Sequence, residues 1–224
     1  MSQQPTATRR ALLLLGLLTL AAVWLGPLPQ LAGRAFFAHM TMHMGVVAVA
    51  APLLALGLAG GRFDPVLRAP GWFSPIPASV LELVVVWAWH APALHHVARH
   101  SPVGLVAEQG TFLLAGLLLW LSAVGGAAAR GGKRAAAGVV GLLLTAMHMT
   151  LLGALLALSK RPLYEHPAGS GQVLHAFAGL TPLEDQHLGG AIMLLVGGVA
   201  YLLGGLWLTR GLLRGKGLAP GEQP

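Results

Sequence analysis

Residues 39–44, with the sequence His-Met-Thr-Met-His-Met, form the segment of this chain best suited to metal chemistry. On an α-helix, His39 and His43 lie one turn apart on one face, and Met40 and Met44 form a parallel stripe beside them. Imidazole and thioether groups without thiolates favour copper, especially Cu(I), over zinc or magnesium. The motif therefore predicts a copper site, although methionines that fill a core and histidines that hydrogen-bond between helices give the same pattern.

Two further histidines are candidates for the same site. His148 lies between two methionines on an apolar segment, and His90 lies near the end of another. We expect His90 to be the third ligand beside His39 and His43. The chain contains no cysteine, which excludes disulfides, iron–sulfur clusters and thiolate metal sites.

The composition indicates that a membrane positions these residues. Hydrophobic residues make up 55% of the 224-residue chain, charged residues only 9%, and the mean hydropathy is +0.71. A soluble domain carries about 25% charged residues, so a soluble globular protein is excluded. Because a bilayer-crossing helix needs about 20 apolar residues, we predict an all-α integral membrane protein, a single membrane domain over residues 1–224. Its six predicted transmembrane helices are residues 11–30, 36–59, 78–97, 103–126, 135–158 and 187–209.

The distribution of lysine and arginine predicts the orientation of these spans. With a cytoplasmic N-terminus, the inner segments hold ten of the 14 basic residues and the outer segments hold four. This positive-inside bias predicts that both termini are cytoplasmic and that residues 159–186 form a long outer loop. The basic residues stand singly or in short groups between apolar runs, so we interpret the net charge of +7 as a topology signal and expect no nucleic-acid partner.

Residues 1–32 have two interpretations. Arg9 and Arg10, the apolar run that follows them and the small residues near Gly33 resemble a signal peptide as well as a first span. We favour a retained span. Cleavage would leave the other five spans in the same orientation.

In this orientation the histidines lie in the outer half of the membrane or in the outer segments, except His148, which lies near the middle of the membrane. The inner segments contain no histidine. Charged residues within a bilayer are costly, so two carboxylates need an explanation. Glu82 lies near the inner end of its span, and we expect it to reach the interface. Glu108 lies about a turn and a half into the fourth span. It either orients a ligating imidazole or has a structural role, as an ion pair with Arg99 or as a protonated hydrogen-bonding side chain.

Three segments, taken in order, resemble the multi-span CtaG family of cytochrome c oxidase assembly factors. They are residues 38–44 with 51–54, residues 87–94 and residues 182–190, and the similarity extends over residues 36–205. The resemblance carries over five family-motif positions, which are His39, His43, His90, Glu108 and Asp185.

The resemblance implies a function in the maturation of a haem–copper oxidase. It implies a multi-pass protein of the bacterial plasma membrane, with oxidase subunits and the lipid bilayer as partners. It also implies copper held or delivered at a site that faces the periplasm or cell exterior, where Glu108 and Asp185 support the ligands. Two positions depart from the family pattern: His95-His96 replace an aromatic and an acidic residue, and Gln109 replaces a histidine. If that histidine is a ligand in relatives, His100 is a candidate substitute.

Three other functions compete with this interpretation. A b-type cytochrome would ligate haem through histidines on facing helices. A copper-transport protein would need ligands through the inner half, whereas they end near His148 and Met149. A scaffold would bind no ligand. The sequence offers no nucleophile–base arrangement or phosphate loop, so we expect no enzymatic activity.

The charge count generates a topology prediction. A reporter that is active only outside the cytoplasm should be active when fused at Gly169 and silent when fused at Gly132. Measuring both fusions in whole cells tests this directly, and the reverse pattern would place the histidines on the cytoplasmic side.

Overall fold

The chain is all-helical in the computed structural model, which describes residues 5–126, 132–164 and 179–216. Five of its helices are long and apolar enough to cross a membrane, and a sixth span results if one bent helix pair counts as a single crossing. The predicted all-α membrane fold of about six spans is therefore confirmed. The orientation of the termini stays a prediction.

The helices run in chain order from α1 to α9, and two of them contain a π-helical segment. They are α1 (Thr6–Leu25), α2 (Leu28–Ala32), α3 (Phe36–Met44, the π segment Gly45–Ala50 and Ala51–Leu58), α4 (Pro65–Arg68), α5 (Pro75–His90), α6 (Pro92–His100), α7 (Pro102–Val124), α8 (Gly132–Ala157) and α9 (Pro182–Ile192, the π segment Met193–Gly197 and Gly198–Lys216). A 3₁₀ turn, Pro70–Trp72, follows α4.

The predicted third span, residues 78–97, is wrong as one continuous helix. Helix α5 ends at His90, and α6 starts at Pro92 at an angle of 72° to it. Ala91 between them is extended, with ψ of 134°, because the proline ring disfavours helical geometry in the preceding residue. Proline is well suited to the first turn of a new helix, so the chain resumes at once in a new direction.

The predicted first span, residues 11–30, also needs correction. Helix α1 covers Thr6–Leu25 and ends where Gly26 adopts an extended conformation before Pro27. Its N-terminal turn is anchored on α3, since the Arg9 Nε and Nη2 atoms each donate a hydrogen bond of 3.2 Å, to the carbonyls of Gly57 and Leu58. These carbonyls belong to the last turn of α3, where carbonyl groups have no hydrogen-bond donor within their own helix.

Helix α9 packs very closely on α8 through Gly190. A Cβ atom at this position would lie 2.6 Å from the backbone nitrogen of Ala157 and 2.8 Å from the carbonyl oxygen of Gly153. Both are main-chain atoms that cannot rotate away. The small residue therefore lets the two backbones approach each other directly, as at many membrane helix interfaces.

A matched pair of glycine substitutions tests this contact. Gly190→Ala should lower the free energy of unfolding by about 1–3 kcal/mol, because the added methyl group overpacks the interface. Gly198→Ala, on the same helix with no heavy atom within 4 Å of the added carbon, should be neutral or stabilise by about 1 kcal/mol through helix propensity. Thermal unfolding of the two purified variants in detergent gives the comparison, and equal stabilities would contradict the packing.

Candidate metal centre

Four imidazole rings pack together where α3, α5 and α6 meet. They belong to His39 and His43 on α3, His90 on α5 and His95 on α6, and all four side chains are buried. The ring of His39 lies with its centroid 5.5 Å from that of His90 and 5.0 Å from that of His95. The His43 and His90 centroids are 5.3 Å apart, and those of His39 and His43 are 6.4 Å apart. We refer to these four residues as the histidine cluster.

Asp185 fixes the helix that carries the first two members of the cluster. Its carboxylate on α9 accepts hydrogen bonds from the backbone N–H groups of Phe36, at 2.7 Å, and Phe37, at 2.9 Å. These two groups open α3 and have no acceptor within the helix. A negative charge at a helix N-terminus is also favourable electrostatically. Asp185 thus supports the cluster through the backbone of α3.

Most ring nitrogens of His39, His43 and His90 form no hydrogen bond with the described residues. In the described part of the chain, both ring nitrogens of His39 and of His43 are buried without a hydrogen-bond partner. The Nδ1 atom of His90 lies 2.7 Å from the Val86 carbonyl, so it carries the proton, and Nε2 presents a lone pair that also lacks a partner. Buried polar groups are rarely left unbonded. These atoms are therefore suited to ligate an ion.

Glu108 on α7 brings a carboxylate to the edge of the cluster. Its Oε2 atom accepts hydrogen bonds from Arg99 and, at 3.1 Å, from the side-chain amide of Gln109. The same atom lies 3.8 Å from Nδ1 of His39. Its Oε1 atom is buried without a partner among the described residues. Both sequence interpretations of Glu108 are thus compatible with its position, since it pairs with Arg99 and lies beside a histidine.

A second possible ligand set combines two members of the histidine cluster with Glu108. One ligand atom each from His39, His95 and Glu108 lies within 4.8 Å of the other two. This spacing exceeds that of a closed coordination shell, so binding would require the side chains to move together. Glu108 could then serve either as a ligand or as the group that orients His39.

Gln109, the next residue after Glu108, extends the hydrogen-bond network around this carboxylate. Its amide nitrogen donates to Glu108, and its amide oxygen accepts a hydrogen bond of 3.2 Å from the Trp24 indole. An amide can do both, whereas a neutral imidazole would use its two nitrogens for these tasks and have none left for a metal. In this chain the position holds the carboxylate in place.

Aromatic residues enclose the cluster on several sides. The Phe112 ring lies 4.1 Å from that of His43, and the Tyr164 ring lies 4.2 Å from that of His95. The Tyr164 hydroxyl donates a hydrogen bond of 2.9 Å to the carbonyl of His90. Burial raises the pKa of this hydroxyl, which keeps it protonated as a donor. Tyr164 therefore ties the segment after α8 to the end of α5.

The methionines of the motif face a different helix. Met40 and Met44 are buried against α9, since a Cβ atom at Gly189 would lie 3.1 Å from Cγ of Met40, and one at Gly197 would lie 3.7 Å from Sδ of Met44. They occupy the helix face adjacent to that of His39 and His43, as the sequence spacing predicts. Their thioether ligation stays a prediction.

Two further polar side chains are buried in the bundle, those of His148 and Glu82. His148 on α8 lies close enough to His43 to interact with it electrostatically, and neither of its ring nitrogens has a hydrogen-bond partner in the described residues. Its ligation of a metal stays a prediction. The expectation that Glu82 reaches the interface is wrong, because this carboxylate is fully buried. It accepts hydrogen bonds from the hydroxyls of Tyr201, at 3.0 Å, and Thr145, at 3.3 Å, which stabilise it inside the bundle.

The remaining histidines divide into three groups. His96 and His100 are exposed on α6, whereas His95 on the same helix is buried. His187 on α9 lies with Nε2 2.8 Å from the Ser159 carbonyl, apart from the cluster. His166 and His175 fall outside the described residues.

Two residues at the site could not be identified from the sequence, His95 of the histidine cluster and Phe112, which packs against His43. His95 was recognised only as a departure from the family pattern. The local signal was Pro92, which predicts a change of helix direction between His90 and His95. No pattern in the sequence distinguishes Phe112 from the other apolar residues of α7.

Comparison with known proteins identifies the family of the chain. The family model described as cytochrome c oxidase caa3 assembly factor (Caa3_CtaG) matches residues 2–215, nearly the whole chain. Comparison with curated proteins and with solved structures gives no match. The resemblance based on three short motifs is therefore confirmed over almost the full length. The chain is a multi-pass membrane protein that belongs to the family of cytochrome c oxidase caa3 assembly factors.

Proposed function

We propose that the protein binds copper in the histidine cluster and holds it for delivery to the oxidase during assembly. His39, His43 and His90 are the ligands, and Glu108 orients His39 or contributes an oxygen atom. The site opens toward the periplasm or cell exterior of a bacterial plasma membrane, in keeping with the charge distribution. The client is a subunit of the haem–copper oxidase that receives the metal.

The observation that carries this proposal is the set of unpartnered ring nitrogens. Three imidazoles from two helices bring their rings within 5.3–6.4 Å of one another, and five of their six nitrogens are buried without hydrogen bonds in the described residues. Each buried nitrogen without a partner costs free energy. A metal ion would satisfy several of them at once, and imidazole is a good ligand for copper.

The charge balance of the site favours a monovalent ion. The Arg99 guanidinium and the Glu108 carboxylate form an ion pair, so together they add no net charge. Ligating histidines must be neutral, so the charge of the bound ion stays largely uncompensated in an apolar interior. The cost of burying an ion rises steeply with its charge, which supports Cu(I) over a divalent metal.

Metal analysis of the purified full chain in detergent tests the proposal against its rivals. We expect bound copper and no Soret band in the visible spectrum. A strong Soret band would instead identify a b-type cytochrome. Protein that binds neither copper nor haem after loading would be consistent with a scaffold, and both results would overturn the proposal.

The histidine pair should act as a unit. His39→Ala, His43→Ala and the double variant should all lose copper and active oxidase to a similar extent, because the remaining imidazoles cannot complete the shared site. Each variant should still insert, since alanine is the best helix former. The measurements are copper content of the purified variant and oxidase activity of membranes from cells that express it.

His187→Ala is the matched control for this experiment. It removes one imidazole that lies on α9 outside the cluster, and it should retain copper and oxidase activity. Single cluster variants that keep full copper and activity would mean that the pair only packs helices.

A separate prediction concerns Glu108. The Glu108→Gln substitution keeps the shape and a hydrogen-bonding group but removes the charge beside His39. Loss of a group that orients a ligand weakens metal affinity by about 10–100-fold. We expect a decrease of that size in Cu(I) competition titrations of the purified protein, with the amount of protein in the membrane unchanged.

Glu184→Gln serves as the control, because it removes a carboxylate from the first turn of α9 where glutamine can maintain the capping box. It should leave the affinity unchanged. If Glu108→Gln lowers the yield of folded protein and leaves the copper affinity intact, Glu108 serves only to neutralise Arg99.

A further inference from the structure

A cavity next to the histidine cluster opens along α6. It has a volume of about 310 Å³, and its lining includes His95, His96, Arg99, His100 and Tyr164. The side chain of His95 is buried, whereas those of His96 and His100 are exposed. One cavity therefore joins an exposed group of histidines to a buried member of the cluster.

His96 and His100 form a second pair of histidines one helical turn apart. Their rings stack with centroids 3.9 Å apart and an angle of 18° between the ring planes. Nδ1 of His100 lies 2.9 Å from the carbonyl oxygen of His96, so it carries the proton and leaves Nε2 as a potential ligand atom. Residues spaced by four on one helix face can share an ion, and exposed side chains are free to turn toward it.

His95 connects this pair to the buried rings. It lies on the same short helix, and its ring centroid is 5.0 Å from that of His39. The chain bends by 72° between α5 and α6, and on α6 His95 both contacts the cluster and lines the cavity. An ion held by His96 and His100 could therefore reach His39 in two ligand exchanges, the first to His95 and the second from His95 to His39.

The electrostatics of the cavity permit a cation to follow this path. Arg99 lines the cavity, and an isolated guanidinium there would repel a metal ion. Its charge is offset by Glu108, with which it forms an ion pair. The remaining polar lining residues named above are histidines and Tyr164, whose nitrogen and oxygen atoms can contact a metal.

From these observations, and resting on the copper function proposed above, we propose that His96 and His100 form a capture site for copper at the mouth of the cavity. The site takes Cu(I) from a donor outside the bundle and passes it to the histidine cluster through His95. In each step a Cu–N bond to the incoming imidazole forms as one to the outgoing imidazole breaks. Copper stays Cu(I) throughout, so no oxidant or reductant takes part.

The transfer test compares the rate at which the full chain in detergent takes up Cu(I) from its complex with bicinchoninate, under reducing conditions. In the His96→Ala/His100→Ala variant the buried site should fill to the same final extent but about tenfold more slowly, because the local store of copper at the cavity mouth is lost. Val97→Ala, an exposed position on the same helix, is the matched control and should load at the normal rate. Unchanged loading of the double variant would overturn the inference.

The capture test uses a protein in which the buried site is disabled. In the His39→Ala/His43→Ala background, the exposed pair should still bind Cu(I), more weakly than the intact protein does. Adding His96→Ala and His100→Ala should weaken this remaining binding by about 100-fold or more, because the chelating pair is lost. Remaining binding that does not depend on His96 and His100 would overturn the capture site.

These outcomes separate the two proposals. If the His39→Ala/His43→Ala protein binds copper as tightly as the intact chain, the buried site proposed as the functional centre is wrong. If that protein loses tight binding as expected but the exposed pair affects neither the loading rate nor the weak binding, only the capture site is wrong.

Discussion

The position of Glu108 inside the bundle is the constraint on which the arrangement around the histidines depends. A carboxylate removed from water needs compensation, and here Arg99 and the Gln109 amide supply it. Arg99 can do so only because α6 turns away from α5 and lies against α7. The same turn carries His95 to His39. Neutralising one charge and assembling the four rings are therefore parts of a single packing arrangement.

The membrane fold could be predicted from the sequence because hydropathy and length determine which segments can cross a bilayer. The break between α5 and α6 could not be found in that way. Hydropathy averaged over residues 78–97 hides the effect of Pro92, so the two short helices are predicted as one span. Glu82 was misplaced for a related reason, because its depth along the chain does not reveal that Tyr201 and Thr145, from distant segments, provide hydrogen bonds for it.

At the site, the pairing of His39 with His43 followed from helix geometry alone, and so did the separate stripe of Met40 and Met44. The direction in which each stripe faces depends on neighbouring helices that the local pattern does not specify. Glycines on α9 accommodate the methionines, whereas α5 and α6 bring histidines to the other face. The role of Asp185 was also beyond local sequence reasoning, since it caps a helix whose first residue lies 149 positions away.

The π segment of α3 has a consequence for how length changes between relatives should be interpreted. At the end of Gly45–Ala50, directly before Pro52, the Ala51 N–H donates a hydrogen bond to the Val46 carbonyl. This bond spans five residues, one more than the bonds of an α-helix. The segment acts as a one-residue insertion, which shifts the angular phase of all later residues by about 100°. A relative that lacks one residue here, and is α-helical throughout, would keep both halves of α3 facing the same neighbours. Alignments of this family should therefore allow a gap inside this helix instead of moving it to the flanking loops.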